Sequence, residues 1–475
     1  MSELAFASAT TLATKIQNKD ISAVELLNFY LARTDEYNGE LNAIVGDTRE
    51  QALADAERAD ADLAKGKAHG PLHGVPMTVK ESFHLAGTAS TWGNPALKDN
   101  VFSEDAEAVK RLKTAGANVF GKTNIPISLA DFQSYNDVYG TTNNPFDHSK
   151  GSGGSSGGSA AALAAGLTGL EIGSDIGGSI RNPAHFCGVF GHKPTHSLLW
   201  MKGHAALPGV HAMPDISVIG PLARSVRDAA LVLEVIRGFD AADPESVRAG
   251  QPPLLASAED GLGGLRIGRA EPYFLTGSDA PVADATDAAI REMAGLGGTI
   301  IDTSIPGIED TNPINVLLIA TEAARGYAET VLEKHPVMND QTVMRVLAGA
   351  FTDETEYQRI LSARAHLARR MIANLFEDID LLVTPVWPFL LPSRDESDVG
   401  ARPEAASLMQ RIGHNTRPFN FLGLPVITVP VGLDPNRLPL SIQLVGKPFD
   451  EATLIRAATA LERHYAFWDN RPAGL

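Results

Sequence analysis

The chain has 475 residues, enough for one large domain or for two or three smaller ones. Hydrophobic residues make up 44% and charged residues 20%, a globular composition, and no apolar run approaches the roughly 20 residues of a membrane span. The net charge of −17, with no basic cluster to offset it, argues against nucleic acid as a partner, and we expect no membrane partner either.

The compartment is suggested by the N-terminal sequence and by cysteine usage. The first 20 residues lack a basic start followed by an apolar stretch, so no secretory signal is visible. The single Cys187 excludes an intrachain disulfide and fits a reducing compartment. We therefore expect a cytoplasmic protein, with Cys187 acting as a small buried hydrophobic residue.

Helical and strand-like segments alternate in the first part of the chain. Helical spacing and capping residues predict helices over 22–38, 47–65 and about 106–115, and β-like runs predict strands over 74–80 and 118–123. This order of strand, helix and strand indicates an α/β fold.

The same alternation continues to the C-terminal part. The pattern predicts strands over 166–174, 265–270, 380–385 and 423–432, a helix over 225–237 and a helical section over 313–377. Because similar strands occur before and after the helical section, one sheet fed from both ends is favoured. We predict a single domain over 1–475, with N-terminal helices to about 65, a catalytic core at about 66–237, a helical excursion at about 313–377 and a return to the core at about 378–465.

One motif invites a false assignment. Residues 116–123, "GANVFGKT", match the phosphate-binding pattern G-x-x-x-x-G-K-[ST]. That loop must follow a strand and open a helix, whereas here a helix precedes and the strand-like "NVF" lies inside the supposed loop. Pro126 also fits poorly in the second turn of a helix. We predict no nucleotide site here.

A glycine- and serine-rich run, "GSGGSSGGSAAALAAG", occupies 151–166. A flexible linker would be followed by polar sequence, but this run leads into an alanine-rich helix and then a buried strand. We therefore predict a loop inside the core, where glycine permits close approach or positive φ and serine supplies hydroxyls.

A second such turn, "GSDIGGSIRNP", lies at 173–183 with Ser179 near the start of a predicted helix. The amides of Ile176, Gly177, Gly178 and Ser179 could converge there and bind a developing oxyanion. From the residues alone, an ordinary turn between a strand and a helix explains the pattern equally well.

A serine nucleophile needs a base, because a hydroxyl is a weak nucleophile at neutral pH. None of the 13 histidines has the spacing of a triad, a zinc-binding helix or a metal cluster, and we expect no metal. Lys80 is the alternative base, since it closes the apolar run "GVPMTVK". Taken alone, a surface lysine at a strand end remains the simpler interpretation.

Several segments together resemble the amidase signature family. They are "GPLHGVPMTVKESF" (70–83), "GKTN" (121–124), "GSGGSSGGSAAALAAGL" (151–167), "GSDIGGSIRNPAHFCGVFGHKPT" (173–195), and "GLPVITVPVG" with "LPLSIQLVGKPFDEATLI" (423–455). The resemblance is dense over about 20–237 and looser over 370–465. It implies the amidase signature fold, an α/β domain with a mixed, mostly parallel central sheet covered by helices.

The resemblance also implies a Ser–cis-Ser–Lys triad. Ser179 would be the nucleophile, Ser155 the bridging serine after a cis bond from Gly154, and Lys80 the base. Lys80 must then be neutral, which is rare for a lysine of ordinary pKa, about 10.4, at pH 7. Burial beside uncharged hydroxyls lowers the pKa of an amine and would supply the neutral form.

Other family positions are matched or altered. By the same resemblance, Asp175 and Arg181 brace the turn that holds Ser179. Glu81 stands where the family often has Asp, "IPISLADF" (125–132) replaces a common acidic and aromatic pair, and His192 occupies a place that is usually apolar. These departures mean that the family alone does not give the substrate.

The resulting hypothesis is an amidohydrolase that cleaves a small-molecule carboxamide, anilide, ester or carbamate through a serine acyl-enzyme. We expect no cofactor, and a homodimer is a reasonable expectation for an enzyme of this size. Segments 124–135, 198–204 and 313–365 are the candidates for the pocket wall. Two alternatives remain: the glutaminase subunit of a tRNA-dependent amidotransferase, and a non-catalytic binding scaffold of the same fold.

Overall fold

A large sheet, a smaller sheet and a short β-hairpin organise the fold. The computed structural model describes residues 2–475 except 207–215, 241–245, 251, 259–260, 271, 335–339, 398–407 and 409–410. Within the described residues the strands are β1 (Ile44–Asp47), β2 (Pro76–Lys80), β3 (Asn118–Thr123), β4 (Tyr135–Asn136), β5 (Gly140–Thr141), β6 (Glu171–Asp175), β7 (Phe190–Lys193), β8 (Val218–Ala223), β9 (Arg266–Ala270), β10 (Thr299–Thr303), β11 (Leu381–Pro385), β12 (Val426–Leu433) and β13 (Pro439–Gly446).

The helices begin and end at the residues that favour helix termini. Ser22 and Glu25 form a reciprocal capping box, and the hydroxyl of Ser225 accepts the amide of Asp228. In the described residues the helices are α1 (Ser2–Phe6), α2 (Ala9–Gln17), α3 (Ala23–Leu41), α4 (Arg49–Ala64), α5 (Glu107–Thr114), α6 (Gly157–Ala164), α7 (Arg181–Cys187), α8 (Val226–Ile236), α9 (Leu254–Ser257), α10 (Ala280–Gly295), α11 (Thr311–Lys334), α12 (Asp340–Ala350), α13 (Glu354–Asp378), α14 (Arg394–Ser397), α15 (Arg417–Phe421) and α16 (Glu451–Tyr465).

The large sheet has the strand order β10-β9-β11-β13-β12-β7-β8-β6. The prediction of a single α/β domain with a mixed sheet and covering helices is confirmed. The parallel pairs lie at one edge, where β9 pairs with β10 and β11, and the pairs from β11 to β6 are antiparallel. Short connections such as the turn between β12 and β13 return the chain directly, which makes antiparallel neighbours.

The small sheet positions the functional residues. Its order is β1-β3-β2, with β2 and β3 parallel. It lies beside β6, because the Gly169 amide donates to the Pro76 carbonyl at 3.2 Å and the Thr78 hydroxyl donates to the Glu171 carboxylate. The carboxyl end of β2, which carries Lys80, therefore meets the carboxyl end of β6.

The helical section joins strands of the same large sheet. It runs from α11 to α13, between β10 and β11, as the sequence pattern predicts, although residues 335–339 of that prediction lie outside the described residues. Cys187 is buried in α7, which confirms its expected packing role. Across the described ranges, no helix combines the length and the apolar character that a membrane crossing requires.

Candidate active site

Lys80 is fully buried at the end of β2 and points at hydroxyl groups. Its Nζ donates to Ser155 Oγ at 2.7 Å and to Ser174 Oγ at 2.9 Å. Burial lowers the pKa of Lys80 to about 7, against the opposing influence of Asp175 and Glu171. A substantial fraction of this amine is therefore neutral at physiological pH and able to accept a proton.

Ser155 lies in the buried glycine- and serine-rich run, between β5 and α6. The Gly154–Ser155 peptide bond is cis. A Cβ placed on Gly158 would lie 2.3 Å from the Asn124 amide nitrogen, so only glycine permits this approach of the two backbones. Residues 151–166 are all buried, which confirms the prediction of a core loop and excludes a linker.

Ser179 lies two residues before α7, at the wall of a cavity of about 320 Å³. The two serine turns are in contact, because the Ser156 amide donates to the Ser179 carbonyl at 3.2 Å. The chain thus brings the predicted nucleophile, bridging serine and lysine into one region, with Ser179 facing the cavity and Lys80 behind it.

The amides around Ser179 do not all have the same availability. Among the described residues, no protein acceptor takes the amides of Ile176, Gly177 or Ser179. Gly178 differs from the expectation, because its amide donates to the Asp175 carboxylate at 2.8 Å. Three of the four predicted amides are therefore available for an oxyanion, and the fourth holds the turn.

Asp175 and Arg181 form a buried ion pair at 3.0 Å beneath this turn, and both side chains are fully buried. Asp175 also accepts the amides of Gly178 and Ile180. The Arg181 guanidinium holds the pKa of Asp175 well below its ordinary range, despite the opposing effect of burial. The contacts are those that a bracing role requires, since they tie the strand end to the start of α7.

Sequence reasoning missed three residues that contact the site. Ser174 accepts a hydrogen bond from Lys80, Thr416 donates to the Gly177 carbonyl at 2.6 Å, and Asn420 donates to the Asp175 carboxylate at 3.0 Å. Ser174 lies inside the "GSDIGGS" turn, and its position next to Asp175 in that motif could have identified it as a site residue from the sequence. Asn420 lies in α15 and Thr416 directly precedes that helix. No local sequence pattern links either residue to Asp175.

The cavity wall includes two of the three segments expected to form it. Residues 129–132 and helices α11 and α12 line it, together with residues 176–179 and Arg417. Segment 198–204 does not line it; its His204 packs instead against the rings of Phe83 and Trp92.

The altered position Glu81 serves a structural contact. Its buried carboxylate accepts the amides of Thr91 and Trp92 and so holds the loop that contains them. The P-loop-like motif is also structural, because residues 118–123 form β3 and the Lys122 amine donates to the Ala89 carbonyl and to Ser90 Oγ.

In the described part of the chain, no three His, Cys, Asp or Glu side chains converge as a metal site would require.

Comparison with known proteins places this geometry in a family. A family model described as Amidase matches residues 25–455. A glutamyl-tRNA(Gln) amidotransferase subunit from Carboxydothermus hydrogenoformans is 35% identical over 99% of both chains. A solved vestigial protein complex, described as revealing the origins of an s-triazine catabolic enzyme, has a TM-score of 0.88 at 30% identity over 96% of this chain and 98% of that one. A bacterial aryl acylamidase of the amidase signature family has a TM-score of 0.88 at 25% identity over 99% of both.

These relatives correct the expectation about partners. We expected a small-molecule amide, a possible second copy and no nucleic acid, but the relative with 35% identity is named as one subunit of an amidotransferase for glutamyl-tRNA(Gln). The exclusion of nucleic acid is therefore wrong. Net charge is a sum over the whole surface, so a total of −17 does not exclude a local basic patch or a basic partner protein.

The resemblance inferred from the sequence is thus borne out by independent comparisons. The match covers most of the chain, and the solved relatives include enzymes of the same fold and the same C–N bond chemistry. The chain belongs to the amidase signature family.

Proposed function

We propose that this protein releases ammonia from glutamine as the glutaminase subunit of a tRNA-dependent amidotransferase, through an acyl-enzyme on Ser179. The observation that carries the proposal is the buried Lys80 amine, which donates to Ser155 Oγ at 2.7 Å and has a pKa lowered to about 7. The relative at 35% identity, with 99% of both chains covered, supports the amidotransferase setting.

The proposed reaction begins with neutral Lys80 accepting the Ser155 proton while Ser155 takes the proton of Ser179. Ser179 Oγ attacks the amide carbon and forms a tetrahedral oxyanion, which the amides of Ile176, Gly177 and Ser179 stabilise. The C–N bond then breaks as protonated Lys80 returns the proton through Ser155 to the leaving nitrogen. Water attacks the resulting ester with the same relay as base and releases the acid.

The second candidate is a stand-alone amidase for apolar amides. It is favoured by one specific observation: the cavity wall is mostly apolar, with Leu129, Phe132, Ile176 and Ile319 among its residues. The structural likeness to a bacterial aryl acylamidase supports the same candidate.

Ammonia release from glutamine by the full chain tests the proposal. We expect release that is lost in Ser179→Ala and kept in Ser149→Ala, a control at an exposed serine outside the site. We also expect glutamine to slow the labelling of Ser179 by a fluorophosphonate probe. Hydrolysis of anilides without any effect of glutamine would favour the second candidate. No labelling at Ser179 would favour the non-catalytic scaffold.

The proposal also includes a cytoplasmic location and a division of the chain around a catalytic core. The single cysteine is buried and forms no disulfide, which supports the cytoplasm as the proposed location. Residues at about 66–237 are the proposed catalytic core, because Lys80, Ser155 and Ser179 all lie in this range.

A further inference from the structure

Glu171 carries a buried carboxyl group that the proposed mechanism does not use, at the place where β2, β3, α6 and β6 meet. It is the first residue of β6 and is fully buried. Its Oε1 accepts a hydrogen bond from the hydroxyl of Thr78, in β2. The hydroxyls of Thr123, in β3, and Ser159, in α6, bond to each other at 2.9 Å and lie close enough to favour the ionised form of this carboxyl. One side chain thus faces all four elements.

These elements carry the three residues of the triad. Thr78 and Lys80 are two residues apart in β2, so their side chains leave the same face, about 7 Å apart along the strand. Helix α6 begins two residues after Ser155, and β6 ends four residues before Ser179. Thr123 is the residue that pairs with Lys80 in the strand register. A change at the Glu171 carboxyl therefore acts on the supports of all three triad residues.

The surroundings of this carboxyl favour its uncharged form. Its Oε1 is bound by a hydroxyl and not by a cation, and its Oε2 has no hydrogen-bond partner among the described residues. Because a buried carboxylate without a partner is costly, such a group takes up a proton instead. Burial accordingly raises the pKa of Glu171 to about 8, against the effect of the three hydroxyls.

The charged groups on the surrounding elements are Lys80 on β2 and Asp175 on β6. Lys122 of β3 leaves the opposite face of the small sheet, and the sequences of α6 and β8 contain no charged residue. An ionised Glu171 would raise the pKa of Lys80 and so favour its protonated form. An uncharged Glu171 leaves the amine free to accept a proton.

We propose that Glu171 is a positioning residue for the amide hydrolysis at Ser179: as an uncharged carboxylic acid it holds β2, α6 and β6 in place through hydroxyl contacts, without forming an ion pair with Lys80. This inference rests on the proposed acyl-enzyme chemistry and adds to it a residue that acts through the triad and not on the substrate.

Two replacements of Glu171 test the positioning role, with the labelling rate of Ser179 by a fluorophosphonate, per folded protein, as the readout. Glu171→Gln keeps the size, the polarity and the absence of charge, whereas Glu171→Leu keeps the size alone. We expect Gln to retain at least about a third of the plateau rate and Leu to lower it about 10- to 100-fold, because small displacements of reacting groups have large effects.

Glu462→Leu is the matched control. Glu462 is also a buried carboxyl whose pKa burial raises, to about 7, but it accepts the Val226 amide at the start of α8, away from the triad. This replacement should change the folded fraction and leave the labelling rate of the folded protein unchanged. A labelling rate for Glu171→Leu equal to that of the wild type would overturn the inference.

The pH dependence of labelling tests the charge state. Glu171→Gln should keep the inflection within about half a pH unit of the wild type, because both side chains are uncharged; loss of a nearby carboxylate would instead lower it by about 1 to 3 units and overturn the inference. If Glu171→Leu does not fold, Thr78→Val removes only the contact from β2 and should lower the plateau rate about 3- to 10-fold. An unchanged rate there would also overturn the inference. Absence of labelling at Ser179 in the wild type would contradict the proposed function instead.

Discussion

Lys80 and Lys122 are both buried lysines on neighbouring parallel strands, yet their surroundings differ. The strand register pairs Lys80 with Thr123 and Lys122 with Val79, so the two amines leave opposite faces of the small sheet. Burial lowers the pKa of Lys80 to about 7 and that of Lys122 to about 8.

The difference lies in what each amine contacts. Lys80 donates to Ser155, whose turn touches the one that carries Ser179, whereas Lys122 donates to the Ala89 carbonyl and Ser90 Oγ in a loop near Glu81. A lowered pKa is therefore common to both lysines, and we propose that a hydroxyl relay to Ser179 is what makes Lys80 a base and leaves Lys122 structural. The following experiments test this distinction.

Replacing the two lysines should have the largest and most unequal effect. Lys80→Met removes the proton acceptor, and we expect kcat to fall by about 10³- to 10⁴-fold, the upper part of the range for general acid–base catalysis. Lys122→Met should keep most of the activity of the folded fraction. Steady-state rates normalised to the amount of folded protein measure the difference. Similar losses of kcat in both variants would contradict the proposed difference between a catalytic Lys80 and a structural Lys122.

The hydroxyl partners of the two lysines form the next matched pair. Ser155→Ala breaks the path between Lys80 and Ser179, and we expect kcat to fall by about 10²- to 10³-fold with little change in KM. Ser90→Ala removes the equivalent partner of Lys122 and should leave kcat nearly unchanged. A small effect of Ser155→Ala would mean that the proton travels by another route.

Ser174 should have a smaller effect, because it holds Lys80 without lying on the proton path. Its hydroxyl accepts a hydrogen bond from Nζ at 2.9 Å. We expect Ser174→Ala to lower kcat about 3- to 10-fold, since one neutral hydrogen bond is lost. Ser174→Thr keeps the hydroxyl and should restore the rate. A kinetic comparison in which alanine and threonine behave alike would contradict this positioning role.

The last expected effect is on the pH dependence of stability and leaves the rate aside. Because the pKa of Lys80 is about 7 in the folded protein and 10.5 ordinarily, the unfolded chain binds the extra proton between these values. The free energy of unfolding should therefore rise with pH in that window, by up to about 1.4 kcal/mol per pH unit. Lys80→Met should reduce this slope, as should Lys122→Met between about 8 and 10.5. Urea titrations at several pH values measure this slope. If a lysine were charged in the folded protein, its Met variant and the wild type would show the same dependence of the free energy of unfolding on pH.

Much of the local structure could be predicted from short-range patterns. β3 is found at the predicted residues 118–123, because an apolar run between Gly116 and Pro126 leaves few alternatives. The strand predicted at 166–174 is shorter, since β6 begins at Glu171 and the Gly169 amide is bound by β2. The extent of parallel pairing depends on contacts between distant segments, which no local pattern encodes.

The residues of the site also fall into two groups, those that the sequence predicts and those that only the fold brings to the site. The family resemblance predicts Lys80, Ser155 and Ser179 as the triad, because the proposed chemistry needs an amine and two hydroxyls, and the fold brings these residues into one region. Arg417 and Asn420 approach the turn from more than 230 positions along the chain, as the Asn420 bond to Asp175 illustrates. The engagement of the Gly178 amide by Asp175 also depends on the folded turn.

The central claim is that a neutral Lys80 activates Ser179, and the pH dependence of Ser179 labelling by a fluorophosphonate tests it most directly, since no substrate needs to be known. We predict that the labelling rate rises with pH to a plateau with an inflection near 7, at the pKa of Lys80, and that Lys80→Met abolishes this rise while Lys122→Met preserves it. An inflection near the ordinary lysine value of 10.5, or a profile that Lys80→Met leaves unchanged, would contradict the account.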